Sequence, residues 1–220
     1  MRLAAVSLVT LAFALASAAV AAGDSRPPRQ QHTAADTKLA TKLVLRRSDF
    51  AAGWTADPPA KPTPPCTAGP DESAFVQTAK VNPSFTYKDG VTNVGSEADV
   101  FRTASEARKD WNASTPSLLG TCLVQSAAVG LGTRVPVKLA SSHELAAPKG
   151  AERSLHYRYV LAVRAPKTRN LIIDVVALGR GRVTVVLYAL TVHSPLPASV
   201  VTALTSILAS RLNAGHGVTA

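Results

Sequence analysis

The chain reads as a single α+β domain, an antiparallel sheet of about five to seven strands with helices packed mainly on one face. Three observations predict this class. Long runs of branched apolar residues separated by short turns fill the last third of the sequence, helical patterns stand before, among and after the strands, and neither a βαβ alternation nor an internal repeat is present. Hydrophobic residues make up 46% of the 220 but aromatic ones only 5%, which assigns the core to Val, Leu and Ile.

Taken in order, Arg2, the apolar run Leu3 to Phe13 and the small residues Ala19-Val20-Ala21 predict a secretory signal peptide over 1–22, cut after Ala21 or Ala22. The run is short for a membrane span, and Asp24, Arg26 and Arg29 follow it closely, so removal is expected rather than anchoring. No cysteine lies nearby to take a lipid. The expected product is an extracytoplasmic monomer, secreted or in the cell envelope. Residues 23–33, polar and carrying Pro27 and Pro28, read as a flexible tether; 34–215 form the domain and 216–220 a C-terminal tail.

A first helix is expected from Ala34 to about Val44, where Leu39, Leu43 and Val44 recur at helical spacing. Ser48 caps a short turn through Phe50, Gly53 lets the chain reverse, and Trp54 is a core anchor. Pro58, Pro59, Pro62, Pro64 and Pro65 force an extended connection to Cys66. Strands follow at Phe75 to Val81, Ser84 to Lys88 and Val91 to Phe101, the last two joined by an Asp89-Gly90 turn. Thr103 and Glu106 form a capping box for a second helix that carries Ala107 and Trp111 inward and stops at Pro116. Long strands are expected over Val135 to Leu145, Arg153 to Arg164, Asn170 to Leu178 and Arg182 to Val192, with tight turns at Ala165-Pro166-Lys167-Thr168 and Gly179-Arg180-Gly181. Pro195 and Pro197 open a third helix whose apolar stripe is Val200, Leu204, Ile207, Leu208 and Leu212, ended by Gly215.

Cys66 and Cys122 are the only cysteines, and an even count in an exported chain predicts one disulfide. They lack CxxC spacing and a nearby histidine pair, so no metal site is expected, and no cofactor motif is present. The net charge of +10, lowered by one when Arg2 leaves with the leader, gives salt-sensitive attraction to anionic envelope polymers or lipids. Nucleic acid is excluded as a partner, because the basic residues are scattered without stacking aromatics or a binding motif.

Catalytic signatures are missing: the sequence has no G-x-S-x-G, no H-E-x-x-H and no phosphate-binding glycine loop. His32 and His216 fall in the terminal segments. His143 and Glu144 are strand neighbours that point to opposite faces and cannot work as one acid–base pair, and His156 sits on another strand among Tyr157, Arg158 and Tyr159. Asp174 stands out, an acid in a nearly all-apolar central strand, which must be paired or protonated; Arg158 and Arg182 are its candidate partners. Sequence leaves open whether Asp174 is functional or structural. Asn112-Ala113-Ser114 matches a glycosylation acceptor by chance on a helix.

The run Ser48-Asp49-Phe50-Ala51-Ala52-Gly53-Trp54, then Ala98-Asp99-Val100-Phe101 leading into Ser105-Glu106-Ala107-Arg108, with a cysteine after Trp111, resembles the actinobacterial extracellular sensor-like domain family. Arg169 to Val175 and the closing amphipathic helix fit it too. That family includes the external sensor domain of membrane serine/threonine kinases and free-standing secreted relatives. The resemblance implies a helix-and-sheet domain with a cleft that binds a ligand, and it supplies no catalytic motif to carry over. Kinase-linked members carry two disulfides where this chain has one cysteine pair. The expected function is therefore a non-catalytic ligand-binding or sensor-like domain at the bacterial envelope, its partner a small molecule, a lipid or an anionic polymer. The alternatives are a secreted hydrolase on wall or lipid substrates and a basic envelope-associated interaction module.

Overall fold

Alternation of apolar residues at period two builds a nine-stranded sheet, and each of its faces is covered by helices. The computed structural model describes residues 26–59, 66–69, 71–131, 135–164 and 168–215. The expected signal peptide, the C-terminal tail and the prolines Pro62, Pro64 and Pro65 lie outside the described residues, as do the first three residues of the Ala165 to Thr168 turn.

The strands are β1 (Arg29–Gln30), β2 (Trp54–Ala56), β3 (Val76–Val81), β4 (Ser84–Tyr87), β5 (Asn93–Phe101), β6 (Val137–Glu144), β7 (Arg153–Arg164), β8 (Thr168–Arg180) and β9 (Val183–Val192). Their order across the sheet is β1-β3-β5-β9-β8-β7-β6, with β4 also on β5 and β2 beyond it. All pairs are antiparallel except β1 with β3. β3 and β4 lie end to end along β5, interrupted at Pro83, whose carbonyl accepts the Ser96 N–H where a proline has no donor to offer. The short β1 and β2 carry the strand count above the five to seven expected. Both are too brief for an alternation pattern to register in sequence.

Four helices form: α1 (Ala34–Leu43), α2 (Ala104–Ala113), α3 (Pro116–Leu131) and α4 (Ala198–Gly215). On β9, Val183, Val185, Leu187 and Ala189 pack under α1 and α4, while Val186, Tyr188, Leu190 and Val192 pack on the other face under α3. Asp110 of α2 interacts with Asp99, which alternates with Ala98 and Val100 of the first face, so α2 shares the face of α3. The helical cover is thus divided, two helices to a face.

Two departures from the sequence reading have local causes. Pro116, read as a stop, is the first residue of α3, the position where proline's missing N–H costs nothing. The 23–33 stretch, read as a tether, holds structure over its described part: Arg29 and Gln30 pair with Val76 and Gln77, and Pro28 is buried. Consecutive prolines favour the extended backbone that a parallel edge strand needs. Other turns fall close to expectation. Gly181 and Arg182 make the β8–β9 reversal with Gly181 at φ 52°, and Gly90 takes φ 71° while Asp89 Oδ1 accepts from the Val91 and Thr92 N–H groups. Trp54 is half-buried rather than central, packed against Phe50 and Tyr87 at the margin of the core. Trp111 is likewise half-buried, with the Arg153 guanidinium 5.7 Å over its ring.

The capping box is as the sequence predicts: Thr103 Oγ1 accepts from the Glu106 N–H at 3.1 Å, and Glu106 Oε2 accepts from the Thr103 N–H at 3.0 Å. Thr103→Ala is expected to lower stability by about 1 kcal/mol in urea unfolding. A change under about 0.3 kcal/mol would show the cap to be redundant.

The disulfide joins Cys66 to Cys122 of α3 across 56 residues. With Leu118 it forms a small buried cluster separate from the two main cores.

Candidate functional site

The central position of Asp174 follows from β8, whose residues from Leu171 to Gly179 are all buried. Asp174 is 1% exposed and points to the α4 face, because it is one position out of phase with Ile173 and Val175, which belong to the α3 side. Cross-strand register sets Arg158 directly opposite, and His156 opposite Val176 two residues away on the same face. The guanidinium holds the carboxylate at both oxygens, Arg158 Nε to Oδ1 at 2.7 Å and Nη2 to Oδ2 at 3.0 Å. Burial alone would raise the Asp174 pKa, but His156 and Arg158 outweigh it and hold the carboxyl below its usual range. Arg182, the other candidate partner, is committed elsewhere. It binds Asp36 at the start of α1 through Nη1 at 2.9 Å and through Nη2, and these hydrogen bonds hold Asp36 down to about 2.

Above this floor α4 leaves an open cleft of about 350 Å³. Val176, Val201 and Ala209 give it an apolar wall, and Pro148 and Lys149, from the loop after β6, close one side. Polar groups converge at the base: Arg158, His156, and Thr205, whose buried Oγ1 has no partner among the described residues. Asp174 is neutralised by Arg158, and Lys149 makes no ion pair among the described residues, so the cleft carries a net positive charge. The volume is at the small end for ligand pockets.

The same cleft brings together the residue types of a hydrolase, a histidine, an acid and hydroxyls, without joining them. His156 Nε2 is 3.8 Å from Asp174 Oδ1, beyond hydrogen-bond reach, and it meets no hydroxyl among the described residues. Both Asp174 oxygens serve Arg158. Ser206 Oγ donates to the Thr202 carbonyl of its own helix at 2.8 Å. The orientation chain that makes a nucleophile is not formed here.

The remaining sequence candidates disperse. His143 is exposed, and its neighbour Glu144 accepts the Tyr157 hydroxyl at 2.9 Å on the α3 side, so the two separate as their alternation requires. His32 is exposed and meets Gln30 Oε1 at 2.7 Å, and His216 lies outside the described residues. Among the described residues no cluster of His, Cys, Asp and Glu is arranged to hold a metal ion. Of the cleft, sequence reasoning reached Asp174, Arg158 and His156 but missed Lys149 and Thr205. No local pattern marks a loop lysine and a helix threonine as neighbours.

No protein-family model matches the chain, and no curated protein matches it. Among solved structures, the extracellular domain of PknH from Mycobacterium tuberculosis aligns at 13% identity with a TM-score of 0.47, covering 85% of this chain and 98% of that one. No described helix is long and apolar enough to cross a membrane.

Proposed function

We propose that this chain is an exported, non-catalytic binding domain, and that the cleft under α4 takes a small ligand with an apolar body and an anionic head. One observation carries the reading: apolar walls converge on two cationic groups, Arg158 and Lys149, and on an unpartnered buried hydroxyl, Thr205. Arg158 is preorganised, since its bond to Asp174 fixes the guanidinium while 26% of the side chain stays exposed to the cleft. The apolar surface supplies affinity, and the charges choose the head group. Export is supported by the leader pattern and by the disulfide, which belongs to an oxidising compartment.

Octanoate, octylammonium and octanol serve as matched probes of this cleft. In ¹H–¹⁵N spectra octanoate is expected to shift residues of α4 and of the 145–149 loop, and octylammonium to leave them in place. Ser206→Trp, which fills the cleft from an exposed position, is expected to abolish the shifts, and Lys149→Glu to weaken them roughly fivefold. Equal response to the cation and the anion, or shifts confined to other surfaces, would overturn the reading.

A further inference from the structure

The face of the sheet opposite the cleft carries a second polar centre that the binding function does not use. Glu97 and Asp99, two apart on β5, point to the α2 side, where Lys80 of β3 meets them at 2.7 Å and 3.6 Å. Asp110 of α2 comes down from above, and Glu72, in the segment between the disulfide and β3, closes the group. Exposure of the four acids is 2% for Glu72, 2% for Glu97, 3% for Asp99 and 5% for Asp110. Four buried carboxyls thus surround one ammonium. Gln77 Nε2 donates to Asp99 Oδ1 at 2.5 Å, but Glu72 Oε1, Glu97 Oε2 and Asp110 Oδ1 meet no donor among the described residues.

Glu72 and Asp110 are within hydrogen-bond contact of each other. Two carboxylates cannot make that bond; a carboxyl and a carboxylate can, by sharing a proton. We propose that the Glu72–Asp110 pair is a proton-held latch, closing the 71–75 segment onto α2 in acid and neutral media and releasing it as the medium turns alkaline.

The groups facing the pair support that direction. Asp99 from β5 repels both members, and Lys80 from β3 offsets this only in part because Glu97 and Asp99 hold its ammonium. Glu97 itself is raised well above the carboxylate range, by burial first and by Asp99 next, and the Tyr188 phenol from β9 is raised by burial and by the same acids. Burial together with Asp110 pushes Glu72 up to about 9, and burial together with Asp99 pushes Asp110 up to about 7. For Lys80, burial alone would lower the pKa, but Asp99 and Glu97 reverse this and keep it charged. The folded protein therefore retains protons that the unfolded chain has released above the ordinary value of 4.5, so stability falls as pH rises from there through about 9. The latch has somewhere to act. The Glu72 N–H donates to the Arg26 carbonyl at 2.8 Å, and the Phe75 N–H to the Glu72 carbonyl at 2.8 Å, so releasing Glu72 loosens the entry to β3 and the described N-terminal leader together.

The test compares thermal unfolding of the whole chain with that of Glu72→Gln, which fixes the neutral, proton-donating state. The wild-type midpoint is expected to fall by about 5–10 °C between pH 6 and pH 9.5 and the variant's to change by less than about 2 °C. A flat wild-type profile, or a parallel fall in the variant, overturns the proposal. Carboxyl ¹³C titration of the wild type gives an answer even if the variant fails to fold. A Glu72 or Asp110 midpoint above pH 6 supports the latch, and midpoints near the ordinary carboxylate values for both overturn it.

Discussion

Arg158→Ala is expected to destabilise the domain by about 3–5 kcal/mol at pH 7, the largest single-residue effect in the molecule. The cause is what the substitution leaves behind: an Asp174 carboxylate that is 1% exposed and has lost both of its charged hydrogen bonds. His156, 3.8 Å away, is too distant to replace them. The converse change, Asp174→Ala, is expected to cost less, since Arg158 keeps a quarter of its side chain exposed and can turn its charge to water. Replacing both at once with apolar side chains of similar volume, Arg158→Met together with Asp174→Leu, is expected to recover most of the loss because no buried charge remains.

The pH dependence has a definite sign. In the wild type the folded Asp174 pKa is depressed, so its contribution is present above the unfolded value and is lost as pH falls through the lower folded one. In Arg158→Ala the lone carboxyl is raised instead, and the gap between variant and wild type narrows as acid neutralises it. Urea unfolding at pH 7 and pH 4 measures both. A loss below about 1 kcal/mol at pH 7 would mean that the pair contributes no more than an exposed ion pair.

Removing the disulfide with Cys66→Ser and Cys122→Ser together is the second large effect, about 4 kcal/mol of lost stability. The 56-residue separation sets the figure, through the loop-closure freedom returned to the unfolded chain. In the native state the link also holds the 66–75 segment on α3 where little else does. Its buried cluster contains only the two cysteines and Leu118, with Ala68 and Ala113 packed against them. Melting of the double variant is expected about 10 °C below the wild type. A shift under about 3 °C would show that the 66–75 segment is held by its other contacts and that the unfolded chain gains little freedom.

Much of the sheet was legible from sequence because its signals are local. The alternation across β7, β8 and β9, the Asp89-Gly90 turn and the Thr103/Glu106 box each need only neighbours within a few residues. α3 was not legible. Its residues mix Gly120 and Gly130 with serine and threonine, so no apolar stripe stands out, and the helix owes its place to the sheet, where Gly120 lets Tyr159 and Leu139 approach. β1 and β2 escaped for a related reason, since two or three residues carry no period and their pairing comes entirely from a partner strand.

What the sequence determined alone was therefore an apolar, β-rich α+β chain with a single cysteine pair and one conspicuous central acid, because periodicity, count and position are properties of the chain itself. Only the tertiary structure decided that Asp174 is answered by Arg158 rather than Arg182, that helices cover both faces, and that Glu72 and Asp110 come to share a site. Each of those depends on strand register and on side chains far apart in sequence, and burial makes charge at such a meeting point costly enough to dictate its partner or its proton.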